Sequence, residues 1–496
     1  MKKIIALILL IATLACALVG CKEEQNNEVP DGAETSVSGS YLDELGAKNF
    51  NKETFRVLDA NDHAYMHVNF ATLETKNDSV INETLYERDA YLIERYNLSD
   101  IEYFSSDSAG VGCELIRNQI SGNMLEYDMI ISTAIGDNGE SSGTLASLSI
   151  QGYLQNLNSL EYLSLNSAWW SRLIYQNLTL NGCLYFTTGD IAPSVYQSPA
   201  AMFVNMDLLE QYYPDLDIFA LVENYEWTLE KLLTLSEGIS RDVNEDNQMT
   251  AVDDFFGITA QKSALPIKNF LYGTGLTLAS NNGESLSVNY SNELVSNLLG
   301  TLKTIYPEGY SYGGTGSKAE QQQLVITSTF MEGRALFLQH MLESAMYHLR
   351  SMENDYGILP FPLGDEQQRQ YYSLINNWCT CFVAVPIQID QDRMDMVSFM
   401  MEATSAYSYE VLRPLVYEQV LKLQRARDPQ SSKMVDVILD GIILDFATVY
   451  NIGDVDTMIY NTMYKDTGWQ SQQIGSKGEI NKSLRDILNA HSTKTS

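Results

Sequence analysis

Short apolar runs of strand length alternate with stretches of helical spacing along the first half of the chain, and that alternation restricts the fold more than any other feature. Thr54 to Ala60 (TFRVLDA) suits a buried strand, and Ser79 to Tyr96 then spaces Val80, Leu85, Leu92 and Ile93 along one helix face. Ile101 to Phe104 reads as a second strand, Glu114 to Gly122 as a helix and Tyr127 to Thr133 as a third strand. Such alternation packs helices against a sheet, which predicts an α/β chain. A second series opens at Ala200 to Asn205 (AAMFVN), with a short helix Met206 to Tyr213 ended by Pro214. Thr228 then caps a helix in the manner of a capping box, although Glu230 falls one place short of the usual position. After a Gly- and Asn-rich middle, apolar runs recur at Met331 to Gln339, Gly357 to Phe361 and Thr380 to Val385, and the rest from about Asp392 reads mainly as helices. No internal repeat is evident, so two interleaved α/β lobes are expected.

The N-terminus dictates where such a body folds. Lys2 and Lys3 precede the apolar stretch Ile4 to Ala17, and Leu18-Val19-Gly20-Cys21 closes it as a lipobox. The stretch is shorter than the roughly 20 residues a spanning helix needs. Residues 1–20 are therefore expected to be removed as a lipoprotein signal peptide, with a diacylglyceryl group on Cys21 holding the protein at the extracellular face of the cell membrane. Almost nothing apolar follows as far as Ser40, and residues 21–49 are expected to form a disordered tether. Losing the signal removes two Lys and takes the formal charge from −33 to −35. So acidic a surface disfavours nucleic acid as a partner. The remaining chain of about 475 residues is long enough to bury a large core divided between two lobes. Beyond Cys16 and Cys21 only Cys113, Cys183, Cys379 and Cys381 remain, and Cys379 and Cys381 lie too close along one apolar run for an unstrained bridge, so buried free thiols are expected.

Several segments, in order, resemble the family 1 extracellular solute-binding proteins of bacterial ABC importers, the group that includes maltodextrin- and oligosaccharide-binding lipoproteins. They are NDSVINETLYERDAYLIERYNL, NGCLYFTTGDI, MFVNMDLLEQY, YEWTLEKLLTLSEGISRDVNEDNQMTAVDDFFGIT and FMEGRALFLQH, and they span about residues 52 to 390. The resemblance implies a bilobal, type II periplasmic-binding-protein-like fold with a hinge between two α/β lobes. Lobe 1 would comprise 50–192 plus 355–400, and lobe 2 would comprise 197–350 plus 401–496. It implies a monomer that captures a carbohydrate, with an oligosaccharide favoured, closes around it and delivers it to the permease subunits of an ABC transporter.

A sugar site needs flat aromatic faces and groups that bond hydroxyls. Trp169, Trp170, Asp190, Tyr196, Tyr272 and Trp378 are the candidates near the implied hinge or cleft. One of Trp169 and Trp170 is expected in the core, and Trp227 and Arg334 are assigned to packing. A separate motif runs from Asp242 through Asn244, Asp246, Gln248 and Thr250 to Asp253, placing oxygen ligands at positions 1, 3, 5, 7, 9 and 12 of a loop that could wrap a structural Ca²⁺, Gln248 through its carbonyl. Asn247 stands where Gly is usual, and Asp253 is shorter than the usual Glu. The plain alternative is a solvated acidic loop that holds no ion.

Catalytic motifs do not emerge. His63 and His67 enclose Ala-Tyr-Met with no Glu after the first His, the run Gly313 to Lys318 lacks the Gly-Lys-Ser/Thr order of a phosphate loop, and no Gly-x-Ser-x-Gly elbow occurs. The expectation is a protein that is not an enzyme and requires no cofactor. The alternatives are a cell-surface glycan hydrolase using two of the many acids, and a binding protein for peptide or another solute, including one that presents its ligand to a sensor.

Overall fold

The computed structural model describes residues 41–60, 80–134, 144–305, 311–312, 319–387, 389–417, 430–465 and 467–492. The signal and Cys21, His63 and His67, and the glycine run at 313–318 lie outside the described residues.

The first sheet is built around the strand Thr54–Ala60, which pairs in parallel with Asp100–Ser105 on one side and Met129–Ser132 on the other. Both connections contain a helix, as parallel neighbours require. The first is Val80–Arg95, and the second is Ala109–Ser121, whose cap Ser108 accepts from the Val111 amide at 3.2 Å. Gly112 lets this second helix lie on the sheet, because a Cβ there would stand 2.3 Å from the Cβ of Ala60. Phe382–Ala384 completes the sheet antiparallel to Met129–Ser132, so the chain returns to the first lobe late in its course.

The second sheet has Ala200–Asn205 flanked by Tyr356–Leu359 and Ala335–Met341, both antiparallel, with Phe256–Thr259 and Ser311–Tyr312 beyond. All six residues of Ala200–Asn205 are buried, matching the unbroken apolar pattern of a strand covered on both faces. Helices Leu229–Glu237 and Ala319–Met331 pack on it. Thr228 caps the former by accepting from the Lys231 amide at 3.2 Å, with no Glu at that place to return the bond.

The chain crosses between the lobes as a pinned pair of extended segments. Bridges join Thr187 to Val383 and Pro199 to Ile375. Ser198 and Thr380 meet through their hydroxyls at 2.7 Å, the Asn376 amide donates to Ser198 O at 3.0 Å, and the Cys381 amide donates to Ser194 Oγ at 2.9 Å. A third passage links helix Gln391–Tyr407, packed on Val80–Arg95, to helix Gln430–Asp440, packed on Tyr356–Leu359. The final helix Trp469–Ala490 packs on Val455–Tyr464 and reaches back to Leu145–Ile150 of the first lobe. No described helix is long and apolar enough to cross a membrane.

Several boundaries differ from those expected. The tether cannot extend to residue 49, because Tyr41–Leu45 is a helix whose Leu42 is fully buried and which packs on helix Gln391–Tyr407. Tyr356–Leu359 belongs to the second sheet rather than the first, with Ile358 opposite Phe203, since an apolar run of strand length does not say which edge it joins. A lobe boundary at 400 cuts through helix Gln391–Tyr407, and Arg88 reaches Ser408 just beyond it, so the first lobe continues past 400. The strand expected at 331–339 is Ala335–Met341, because the preceding helix runs to Met331 and ends on Gly333 at φ +72°. The Asn-rich middle contains two helices, Ala264–Gly273 and Glu293–Ile305. Cys113, Cys183, Cys379 and Cys381 are buried thiols, with Cys379 in the turn before Phe382–Ala384 rather than in the strand.

Candidate ligand-binding cleft

Trp169 and Trp170 are fixed from both sides of the chain. The Asp190 amide donates to Trp169 O at 2.8 Å, and a bridge pairs Trp170 with Gly189. Only glycine fits there, because a Cβ on Gly189 would lie 2.3 Å from Trp169 O. From the helix Gln391–Tyr407, buried Glu402 accepts the Trp170 indole N–H at 2.9 Å and the Ser164 amide at 3.2 Å. Burial raises the Glu402 carboxyl above its usual range, partly offset by these donors. Trp170 is thus held by the core, as expected of one of the pair. The ring of Trp169 stacks obliquely on Tyr41 at 5.2 Å.

Trp169 and Trp170 line a cavity of about 420 Å³ together with Asp190, Tyr196 and residues from the second lobe, Gln370, Asp440 and Ile442. Four of the six residues expected at a ligand site therefore meet in one place between the lobes. Its polar focus is Asp190, buried, with Oδ2 lacking a hydrogen-bond partner and standing 3.8 Å from Arg413 Nη1. Burial pushes the Asp190 carboxyl well above the usual carboxylate range, and the Arg413 guanidinium opposes this only in part. The Tyr196 hydroxyl also has no partner, and its ring meets Tyr417 edge-on at 6.2 Å. A cavity with flat rings, a cation and unmet buried oxygens can bond a polyhydroxylated solute more readily than an apolar one.

Sequence reasoning missed Arg413. It lies between Tyr409 and Tyr417, its guanidinium 5.2 and 5.6 Å from their ring centroids. Pro414 has no N–H to continue a helical ladder, and the preceding residues Ser408–Leu412 form a π-turn. The spacing Tyr-x-x-x-Arg-x-x-x-Tyr was visible and signalled a cation held between two rings on one helix face.

The other two candidates lie elsewhere. Tyr272 is fully buried in the second lobe and shares a 2.9 Å hydrogen bond with Thr448 Oγ1, so it packs helix Ala264–Gly273 against Phe446–Val449. Trp378 is half-buried against the core, in the turn whose Asn376 side chain accepts its amide at 3.1 Å, and it does not line the cavity.

The loop Asp242 to Asp253 has the internal turns of a cation-wrapping loop. Asn247 adopts φ +63° at the position where Gly is usual, and its amide donates to Asp242 Oδ2 at 2.7 Å. The Asp246 amide donates to Asn244 and the Gln248 amide to Asp246, at 3.0 and 2.7 Å. Its carboxylates are not drawn into one cluster, and Asp253 is bonded to Asn244 and Thr250. The organiser is a residue the spacing did not single out, buried Asp254, which accepts the Val243 and Thr250 amides.

No family model matches the chain, and no curated protein matches it. Solved structures do resemble it. The sugar-binding protein MalE of Xanthomonas citri aligns with TM-score 0.58 and 10% identity over 89% of this chain and 100% of that one. An ABC substrate-binding protein of Listeria monocytogenes, solved with cycloalternan, gives 0.55 and 10% over 88% and 99%. The GacH receptor of Streptomyces glaucescens, solved unliganded and with acarbose, gives 0.53 and 14% over 88% and 99%. The chain therefore has the bilobal periplasmic-binding-protein fold, with a sheet in each lobe.

Proposed function

We propose that this chain captures a carbohydrate, an oligosaccharide by preference, between its two lobes and hands it to the permease of an ABC importer. The observation that carries this reading is the inter-lobe cavity, in which Trp169, Trp170 and Tyr196 surround the unmet carboxylate oxygen of Asp190 beside Arg413. Several proteins of this fold were solved with sugars, among them cycloalternan and maltotetraose. In our reading the protein acts as a monomer outside the cell, held at the membrane by the lipid on Cys21, so that its local concentration at the permease is high.

A thermal-shift screen of linear and cyclic oligosaccharides should return at least one sugar that raises Tm in a saturable way and is recovered intact. Cleavage of that sugar would favour the surface hydrolase, and stabilisation by peptides alone would move the ligand class.

A structural Ca²⁺ in the loop Asp242–Asp253 belongs to the same proposal, with Asp242, Asn244, Asp246 and Asp253 as side-chain ligands and Gln248 as a carbonyl ligand. The positive φ of Asn247 and the successive side-chain-to-amide bonds support it. Millimolar Ca²⁺ should raise the melting temperature by a few degrees in the parent and not in Asp242→Ala. Identical melting with Ca²⁺ and with chelator would count against the ion.

A further inference from the structure

At the far end of the strand Ala335–Met341 the chain turns sharply. The Leu342 amide donates to Pro199 O at 3.0 Å, and the helix Glu343–Met346 begins at once. This turn gathers His340, Glu343 and His348. Each offers a ligand atom within 4.8 Å of the other two, the one such grouping among the described residues. It is separate from the inter-lobe cavity, none of whose lining residues it shares.

The grouping is unusual in what it leaves unmet. The side chains of His340 and Glu343 are 4% and 0% exposed, and that of His348 is 26% exposed. Neither carboxylate oxygen of Glu343 makes a well-formed hydrogen bond, and His340 Nε2 has no partner. His348 Nε2 stands 3.4 Å from Glu343 Oε1, and His340 Nδ1 stands 3.9 Å from the same atom. A buried carboxylate with this little support is costly unless a cation meets it. Protonated His348 could meet one oxygen, but it would leave the other oxygen and His340 Nε2 as they are. A metal ion would satisfy all three side chains together.

We propose that His340, Glu343 and His348 form a binding site for a divalent transition-metal ion of the zinc class. Two imidazoles and one carboxylate are a donor set that Zn²⁺ takes readily, at bond lengths of about 2.0–2.2 Å. Ligand atoms on such an ion stand roughly 3.3 Å apart, so the 3.4 Å pair of His348 and Glu343 is already at ligand spacing, while the His340 ring, whose Nδ1 is 3.9 Å from the same oxygen, must shift to bring its Nε2 to the ion. His340 is also equipped with the outer partner that metal-bound histidines have. Its Nδ1 bonds the Ser344 hydroxyl, and with Nδ1 as donor the lone pair falls on the unmet Nε2. The part-exposed His348 gives the ion, and a water as fourth ligand, a way in from solvent. Leu342 and Pro199 tie the site to the crossover, so a bound ion would fasten the second lobe at the root of the hinge.

The full chain, purified without an affinity tag and stripped by chelator, should take up one Zn²⁺ by calorimetry. Co²⁺ should give the visible absorption of a low-coordinate, nitrogen-ligated site. His348→Ala changes a part-exposed residue and should still fold, as checked by its melting curve. It and Glu343→Gln should weaken Zn²⁺ binding about a hundredfold or more. Asp246→Ala in the acidic loop should leave Zn²⁺ binding unchanged, which separates this site from any Ca²⁺ in that loop. No stoichiometric uptake by the parent, or uptake by the His348→Ala chain at the parent's affinity, would overturn the assignment. Neither result touches sugar capture in the cleft, which is read out independently.

Discussion

Asp190→Ala is expected to weaken binding of the captured sugar roughly a hundredfold, about 2.7 kcal/mol, while the unliganded protein is no less stable than the parent. Asp190 Oδ2 has no hydrogen-bond partner in a buried setting, and Arg413 is 3.8 Å away. Sugar hydroxyls would supply the missing partners, each hydrogen bond contributing about 0.5–1.5 kcal/mol to the neutral carboxyl and about 1.5–3 kcal/mol once it is ionised. The isosteric Asp190→Asn gives the matching test in pH. Burial holds this carboxyl well above its usual range, with only Arg413 opposing, so the folded protein keeps a proton that an unfolded chain loses near pH 4. Stability from this group is therefore fully present below about pH 4 and is lost as pH rises through the folded value. The asparagine variant has no such loss, so its Tm should match the parent's near pH 4 and exceed it increasingly toward neutrality. A variant less stable than the parent at pH 7 would mean that Arg413 already satisfies the carboxylate in the free protein, and the affinity argument would fall with it.

Trp227→Ala should cost about 3–5 kcal/mol of stability and leave sugar affinity of the folded molecules unchanged. The indole is fully buried, donates its N–H to Pro360 O at 2.9 Å and packs on Phe337 at 5.6 Å. Its backbone pairs with Leu363, so it ties the start of helix Leu229–Glu237 to the segment that follows Tyr356–Leu359. Trp227→Phe should cost less, about 1–2 kcal/mol, since it keeps the ring and loses the hydrogen bond and some volume. Denaturant melts check the stability, and calorimetry with the cleft ligand checks the rest. A large loss of affinity at unchanged stability would place this tryptophan in recognition instead of packing.

How far the residues disclosed this arrangement depends on the kind of signal each carried. Ala200–Asn205 is apolar on five of its six residues, and burial on both faces leaves that mark directly in the sequence, while Thr54–Ala60 shows it through Phe55, Val57, Leu58 and Ala60, its buried positions. The helix Ala109–Ser121 was caught only from Glu114 on, because its first turn is Ala-Gly-Val-Gly, and glycine serves there for close packing on Ala60. Tyr356–Leu359 shows the limit more sharply. Its pattern announces a strand, while its sheet depends on pairing with residues some 150 positions earlier. In the cleft, Trp169, Trp170, Asp190 and Tyr196 come together because they flank one crossover of the chain. Tyr272 has the same chemistry but sits on a helix face turned into the second lobe, a distinction that no local motif encodes. Glu402 anchors Trp170 across 232 residues, and such a partner is invisible to spacing.

The four buried thiols have a use of their own. A thiol reacts as the thiolate, and burial pushes the Cys113 thiol up to about 12 and shields Cys183, Cys379 and Cys381 from reagents in solution. A single cysteine introduced on the rim of either lobe would then outcompete the described native thiols for an environment-sensitive dye. The native sequence is in that sense ready for conversion into an optical reporter of its own cleft, with no cysteine needing to be removed from the folded body.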